Sequence, residues 1–229
     1  MQSRLVASAT VLVALLCGPL AASAGPGDAG HVRAVITFVG DSNESLGATQ
    51  IQLTIGDGVA PYANVFLALP GAGLRGRLCG TLDNCSAPDL WKRRIGDMSE
   101  KISSEGFVVN LGINDTLTRG SATGIGYAHY GAKIDWLMPA FGGAPVWWTN
   151  LPCSIEPDNR VQGCRANDGA LAAAAHRWPN LRVLDWAFVA RGRRDYLVAD
   201  AYKVHLSPAG QHRWATLVEQ ALDKRFRDA

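Results

Sequence analysis

Gly40-Asp41-Ser42, near the start of the chain, and His205, near its end, are the residues whose types and setting could do covalent chemistry. A serine hydroxyl becomes a nucleophile when an imidazole takes its proton, and such a pair transfers acyl groups. Ser42 follows residues 35–39, Val-Ile-Thr-Phe-Val, closely. That β-branched apolar run reads as a buried strand, so the hydroxyl is expected just past a strand end. In open α/β sheets ligands bind beyond the carboxyl ends of the parallel strands. Gly, Asp and Ser are also common turn residues, so the tripeptide gains weight only from its surroundings.

Those residues need elements to position them. Residues 64–69 read as a second buried strand, ending at Pro70-Gly71-Ala72-Gly73, with 46–55 an irregular or partly helical crossover before it. Asp89 can cap a helix carrying Trp91, Ile95, Met98 and Ile102 at helical spacing, ended by Gly106. A third strand, 107–111, runs into Gly112-Ile113-Asn114-Asp115, and a helix over 127–138 is stopped by Pro139. The fourth strand, 145–149, has Trp147 and Trp148 on opposite faces. An Ala-rich helix from about Ala166 to Arg177, a fifth strand over 181–185 and an irregular stretch to His205 follow. Ser207-Pro208 caps and opens the last helix, which buries Trp214, Leu217, Val218, Ala221 and Leu222. Strands alternating with helices predict an α/β fold, a mostly parallel sheet of about five strands with helices on both faces.

In this arrangement Ser42, Gly71 and Asn114 each follow a strand and share one edge of the sheet, and the loop carrying His205 can return across it. Backbone N–H groups of Ser42 and Gly71 and the side-chain amide of Asn114 are candidate donors to an oxyanion. The other histidines, His31, His129, His176 and His212, read as surface or helix-face residues.

At 229 residues, 48% hydrophobic and 18% charged, the chain suits one packed domain. A net charge of +2 argues against a nucleic-acid partner. Arg4, the apolar run 5–16 and Ala22-Ser23-Ala24 predict a signal peptide over 1–24, leaving a single domain over 25–229 that is secreted or periplasmic. The apolar run is too short for a stable membrane anchor. Cys79, Cys85, Cys153 and Cys164 then remain, an even count that suggests two disulfides; the close pairs are the natural choice among three connectivities. Their spacing does not suit zinc, and no metal or other cofactor is expected.

Together, Gly40-Asp41-Ser42, Gly71, Gly112-Ile113-Asn114 and the segment Val204-His205-Leu206-Ser207-Pro208-Ala209-Gly210 resemble, in order, the four blocks of the SGNH (GDSL-type) hydrolases. The resemblance covers residues 35–222. It implies a flavodoxin-like three-layer α/β/α sandwich and metal-free hydrolysis of carboxylic esters, with a small-molecule, glycan or lipid ester as substrate. By the same resemblance Ser42 is the nucleophile, His205 the base, and Ser42, Gly71 and Asn114 form the oxyanion hole, with Gly73 a substitute for Gly71. The family has Asp three residues before the histidine, where this chain has Tyr202; Asp200 is the nearest acid, with Asp195 and Asp185 behind it. The Gly-x-Ser-x-Gly elbow of ordinary α/β-hydrolases is absent, as are the His and Asp blocks of metallophosphoesterases. An acyltransferase using the same Ser and His, and a secreted binding protein without turnover, both remain open.

Overall fold

The structure is a computed structural model that describes residues 34–41, 43, 62–68, 72–74, 76–77, 90–116, 127–153, 158–199 and 205–226. Its centre is a five-stranded parallel sheet built from β1 (Ala34–Gly40), β2 (Tyr62–Ala68), β5 (Gly106–Asn110), β6 (Val146–Thr149) and β7 (Leu181–Leu184), in the order β2-β1-β5-β6-β7. A two-stranded antiparallel ribbon, β3 (Ala72–Gly73) and β4 (Gly76–Arg77), follows β2. β1 is buried at nearly every position, as a strand must be when both faces of the sheet are covered.

Alternation along the strands sorts the core into two layers. Val39, Phe107, Val109, Val146 and Trp148 pack on one face under α1 (Leu90–Ser99), α2 (Tyr127–Leu137) and α3 (Asp158–Arg177). Ile36, Phe38, Val108 and Trp147 pack on the other, against Trp186 of the short helix α4 (Trp186–Val189) and against Trp214, Val218 and Leu222 of α5 (Pro208–Phe226). This is the expected three-layer α/β/α sandwich, with Trp147 and Trp148 on opposite faces.

Several boundaries differ from the sequence reading. α3 begins at Asp158, eight positions before Ala166, because its first turns are anchored through Cys164 rather than by an apolar stripe. Cys164 is fully buried and bonded to Cys153, and tertiary anchoring outweighs the weak helix preference of that polar stretch. α1 ends at Ser99, so Ile102 lies outside it, and Gly106 opens β5 instead of closing the helix. A Cβ on Gly106 would come within 2.7 Å of the Trp147 ring, so close packing explains this glycine. Pro139 sits inside a 3-10 turn, Met138–Phe141, that continues from α2. Asp185 caps α4 rather than ending β7, and the stretch before His205 holds a further 3-10 turn, Arg194–Tyr196. Ser207 is a helix cap as expected, its Oγ accepting the Gly210 N–H at 3.2 Å. Among the described residues no helix is long and apolar enough to cross a membrane.

Candidate active site

β1 has β2 on one side and β5 on the other, so the sheet reverses its direction of growth there, and the crevice beyond such a switch point is where ligands bind in α/β sheets. Of the predicted residues, Asn114 and the segment of His205 are tied to the turn after β1 there, whereas Ser42, Gly71, Asp200, Cys79 and Cys85 lie outside the described residues.

The backbone turns out of β1 at Asp41, whose Oδ1 accepts the Asn43 N–H at 3.0 Å, an Asx turn that holds the chain on both sides of Ser42. Asp41 Oδ2 accepts from the Asn114 side-chain amide at 3.0 Å. Asn114 sits on a 3-10 turn, Ile113–Thr116, reached through Gly112 with φ +133°, a conformation open to glycine. A Cβ on Gly112 would also overlap the Tyr130 hydroxyl, which instead donates to Leu111 O at 2.9 Å. The turn is further held by Asn167, whose Nδ2 donates to Gly112 O at 3.2 Å.

Asp115, beside Asn114, ties in the segment after β2. Its Oδ2 accepts the Leu74 N–H at 3.0 Å, and its Oδ1 pairs with Lys133 Nζ at 2.6 Å. Gly73 lies against this carboxylate, where a Cβ would meet it at 3.1 Å, and its carbonyl accepts from the Trp91 indole at 2.9 Å. The fourth segment is joined by Asn43, whose Oδ1 accepts the Leu206 N–H at 2.8 Å across 163 positions of sequence. Three side chains, Asp41, Asp115 and Asn43, thus connect the segments holding Gly-Asp-Ser, Gly73, Asn114 and His205.

Asp41 is 1% exposed, and burial pushes its carboxyl up to about 7. The Asn43 N–H opposes that shift, and the neighbouring Asp115 charge adds to it. The two weaker acid candidates are engaged elsewhere: Asp195 forms a bidentate pair with Arg193 at 2.9 and 2.7 Å, and Asp185 accepts from Phe188 N and the Asn150 amide. His176 and His212 are exposed on their helices, as read from the sequence.

Next to Asn43 opens a cleft with about 340 Å³ of space, its mouth included, lined by Asn110, Ile113, Asn150, Leu151 and Leu206 and backed by Trp186 and Trp214. Leu151 packs with Ile113 and with the Cys153–Cys164 disulfide, so the bridge braces one wall. Under it, Asp168 Oδ1 accepts the Leu151 N–H at 2.8 Å, and its Oδ2 stands 3.2 Å from Cys153 Sγ. Burial raises this carboxyl too, to about 7. Cys153, Cys164 and Asp168 form a cluster with metal-ligand atom types, but the sulfurs are bonded to each other and offer no thiolate.

Sequence reasoning singled out Asn114 and His205 but not Asp41, Asn43, Asp115 or Lys133 as parts of the site. A carboxylate directly after a strand buried on both faces is the one signal that pointed to Asp41.

No protein-family model matches the chain, and no curated protein matches its sequence. Among solved structures it is similar to a lipase/acylhydrolase from Enterococcus faecalis, with TM-score 0.64, 18% identity and coverage of 84% of this chain and 96% of that one. The C-terminal catalytic domain of a peptidoglycan O-acetyltransferase from Streptococcus pneumoniae matches with TM-score 0.59 and 14% identity over 85% of this chain and 95% of its own. A carbohydrate acetylesterase from Sinorhizobium meliloti matches with TM-score 0.58 and 14% identity over 84% and 100%. The chain therefore has the three-layer α/β/α fold of the SGNH hydrolases.

Proposed function

We propose that the protein is an exported serine esterase acting on carboxylic esters. Ser42 Oγ attacks the ester carbonyl while His205 takes its proton; the alcohol leaves with that proton, and the acyl group stays on Ser42. Water, deprotonated by His205, then attacks the acyl-enzyme, and the carboxylic acid departs as the proton returns to Ser42. The Asn114 amide and the backbone N–H groups of Ser42 and Gly71 stabilise the oxyanion. Asp200 orients the imidazole in this account, since Asp185 and Asp195 hold other partners.

The observation that carries the proposal is the joining of four distant segments at the switch point by Asp41, Asp115 and Asn43. Fold alone would not require it. Similarity to an acetylesterase and an acylhydrolase supports ester chemistry. Similarity to an O-acetyltransferase supports the second reading, in which a sugar hydroxyl replaces water as acceptor. Export fits the Cys153–Cys164 disulfide and the residue pattern over 1–24, because such bridges persist in oxidising compartments.

The test is hydrolysis of 4-nitrophenyl acetate and longer nitrophenyl esters by the chain from Gly25 onward. Ser42→Ala should abolish turnover with an unchanged circular dichroism spectrum, and Asp200→Asn should lower it by orders of magnitude. Ester turnover that survives Ser42→Ala would overturn the proposal, and so would a wild-type chain that binds esters without cleaving or transferring the acyl group.

A further inference from the structure

Two backbone–backbone hydrogen bonds and one from backbone to side chain bear most directly on the position of the segment around His205. Val198 N donates to His205 O at 2.9 Å and Ser207 N donates to Tyr196 O at 2.8 Å, forming a short antiparallel bridge with the stretch just upstream. Both bonds are local and would hold whether or not the bridge lay near β1. The third, from Leu206 N to Asn43 Oδ1 at 2.8 Å, reaches across the molecule to the residue after Ser42.

Asn43 is itself held, since Asp41 accepts its backbone N–H and Asp41 in turn binds the Asn114 amide. The far end is equally firm: Leu206 is buried in the core layer that contains Trp186 and Trp214. A rigid acceptor thus meets a rigid donor immediately beside the two residues proposed as nucleophile and base. The departure at Tyr202 makes this tie more consequential. If Asp200 is the acid, two further residues of sequence separate it from His205 than in the family pattern, which gives a fixed point directly after the histidine more weight.

We propose that Asn43 is a positioning residue whose side-chain carbonyl, by holding the Leu206 N–H, sets the separation between the His205 imidazole and the Ser42 hydroxyl. The inference rests on the esterase reading of Ser42 and His205. An apolar residue at 43 would strip the N–H of its acceptor and loosen the histidine segment from the turn after β1, while leaving the Val198 and Tyr196 bonds and the burial of Leu206 in place. Proton transfer is sensitive to such displacement, and an error of about 1 Å can cost on the order of a hundredfold.

The experiment measures kcat and KM on 4-nitrophenyl acetate across pH for Asn43→Ala, Asn43→Asp and Ser42→Ala, with melting curves for each. Asn43→Ala should lower kcat about ten- to hundredfold, with KM changed less than about threefold and a melting temperature near wild type. Asn43→Asp keeps an acceptor and should retain most of kcat, while its negative charge beside His205 moves the acid limb of the pH profile upward. Wild-type kcat in Asn43→Ala, or a low kcat in Asn43→Asp with an unmoved limb, would overturn the inference. An Asn43→Ala chain that fails to fold leaves the decision to Asn43→Asp. If Ser42→Ala still turns over, the esterase reading fails first; if Ser42→Ala is dead while Asn43→Ala is normal, the positioning role alone fails.

Discussion

Asn114 donates its side-chain amide to Asp41 Oδ2 at 3.0 Å, locking the turn after β5 to the turn after β1 across the switch point of the sheet. Both residues are buried, at 6% and 1% exposure, so the bond is shielded from water and its geometry is fixed. The second hydrogen of the same amide nitrogen then has a set direction, and a preset direction is what an oxyanion donor needs.

Asp41 accepts twice, from Asn43 N and from Asn114, which an amide side chain cannot do without presenting an N–H to one of those donors. Asp41→Asn should therefore turn or displace the Asn114 amide and lower kcat on the order of a hundredfold, as loss of an oxyanion donor does, with little change in KM. Steady-state kinetics on a nitrophenyl ester check this; an unchanged kcat would mean that the bond does not set the donor.

Asp168 makes the stability pH-dependent. A disulfide sulfur has no proton, so a bond across the 3.2 Å to Cys153 Sγ needs the carboxyl O–H, and a carboxyl raised to about 7 supplies it over the mildly acidic range. Between the ordinary carboxylate pKa near 4 and about 7, the folded state holds a proton that the unfolded state has released. This group's contribution to stability thus falls as pH rises through that window and is level above it. Melting curves from pH 4.5 to 8 should show Asp168→Asn gaining on the wild type as pH rises. A constant difference would contradict the shift.

Lys133 and Asp115 are 18% and 2% exposed, and Asp115 also holds the Leu74 N–H. Lys133→Met leaves a buried carboxylate without its cation, which should cost roughly 3 kcal/mol in urea unfolding. It should also push Asp41 higher, because the unneutralised Asp115 charge raises it. Replacing the pair with Asp115→Asn and Lys133→Met together should cost less than the lysine change alone, which a double-mutant cycle reads directly.

Gly112→Ala should destabilise the protein by the strain of φ +133° and by overlap with the Tyr130 hydroxyl. Tyr130→Phe removes the hydroxyl but also the bond to Leu111 O. In the double variant the two costs should sum to less than the separate losses, by about 0.5–3 kcal/mol of coupling, because the overlap needs both groups. Strict additivity would place the strain in the backbone alone.

The sheet was legible because runs such as 35–39 and 107–111 are apolar but for Thr37 and Asn110 and end at glycine, the pattern of strands covered on both faces. The alternation of elements then forced the layers. The early start of α3 was not legible, since a polar stretch with an internal glycine has weak helix preference of its own and its tie through Cys164 to Cys153 is a tertiary contact. Asn114 and His205 could be marked from their places after a strand and before a helix. The ties between segments could not, because the bonds from Asn43 to Leu206 and from Asp115 to Leu74 use backbone N–H groups, which leave no trace in residue type.

Covalent labelling tests the central claim most directly. The folded chain would be treated with a fluorophosphonate, which captures serines activated by a neighbouring base, and the adduct located by peptide mass spectrometry. The account predicts one adduct per chain, on the peptide containing Ser42, absent in Ser42→Ala and formed orders of magnitude more slowly in His205→Ala. An adduct on any other residue, or a labelling rate indifferent to His205, would contradict it.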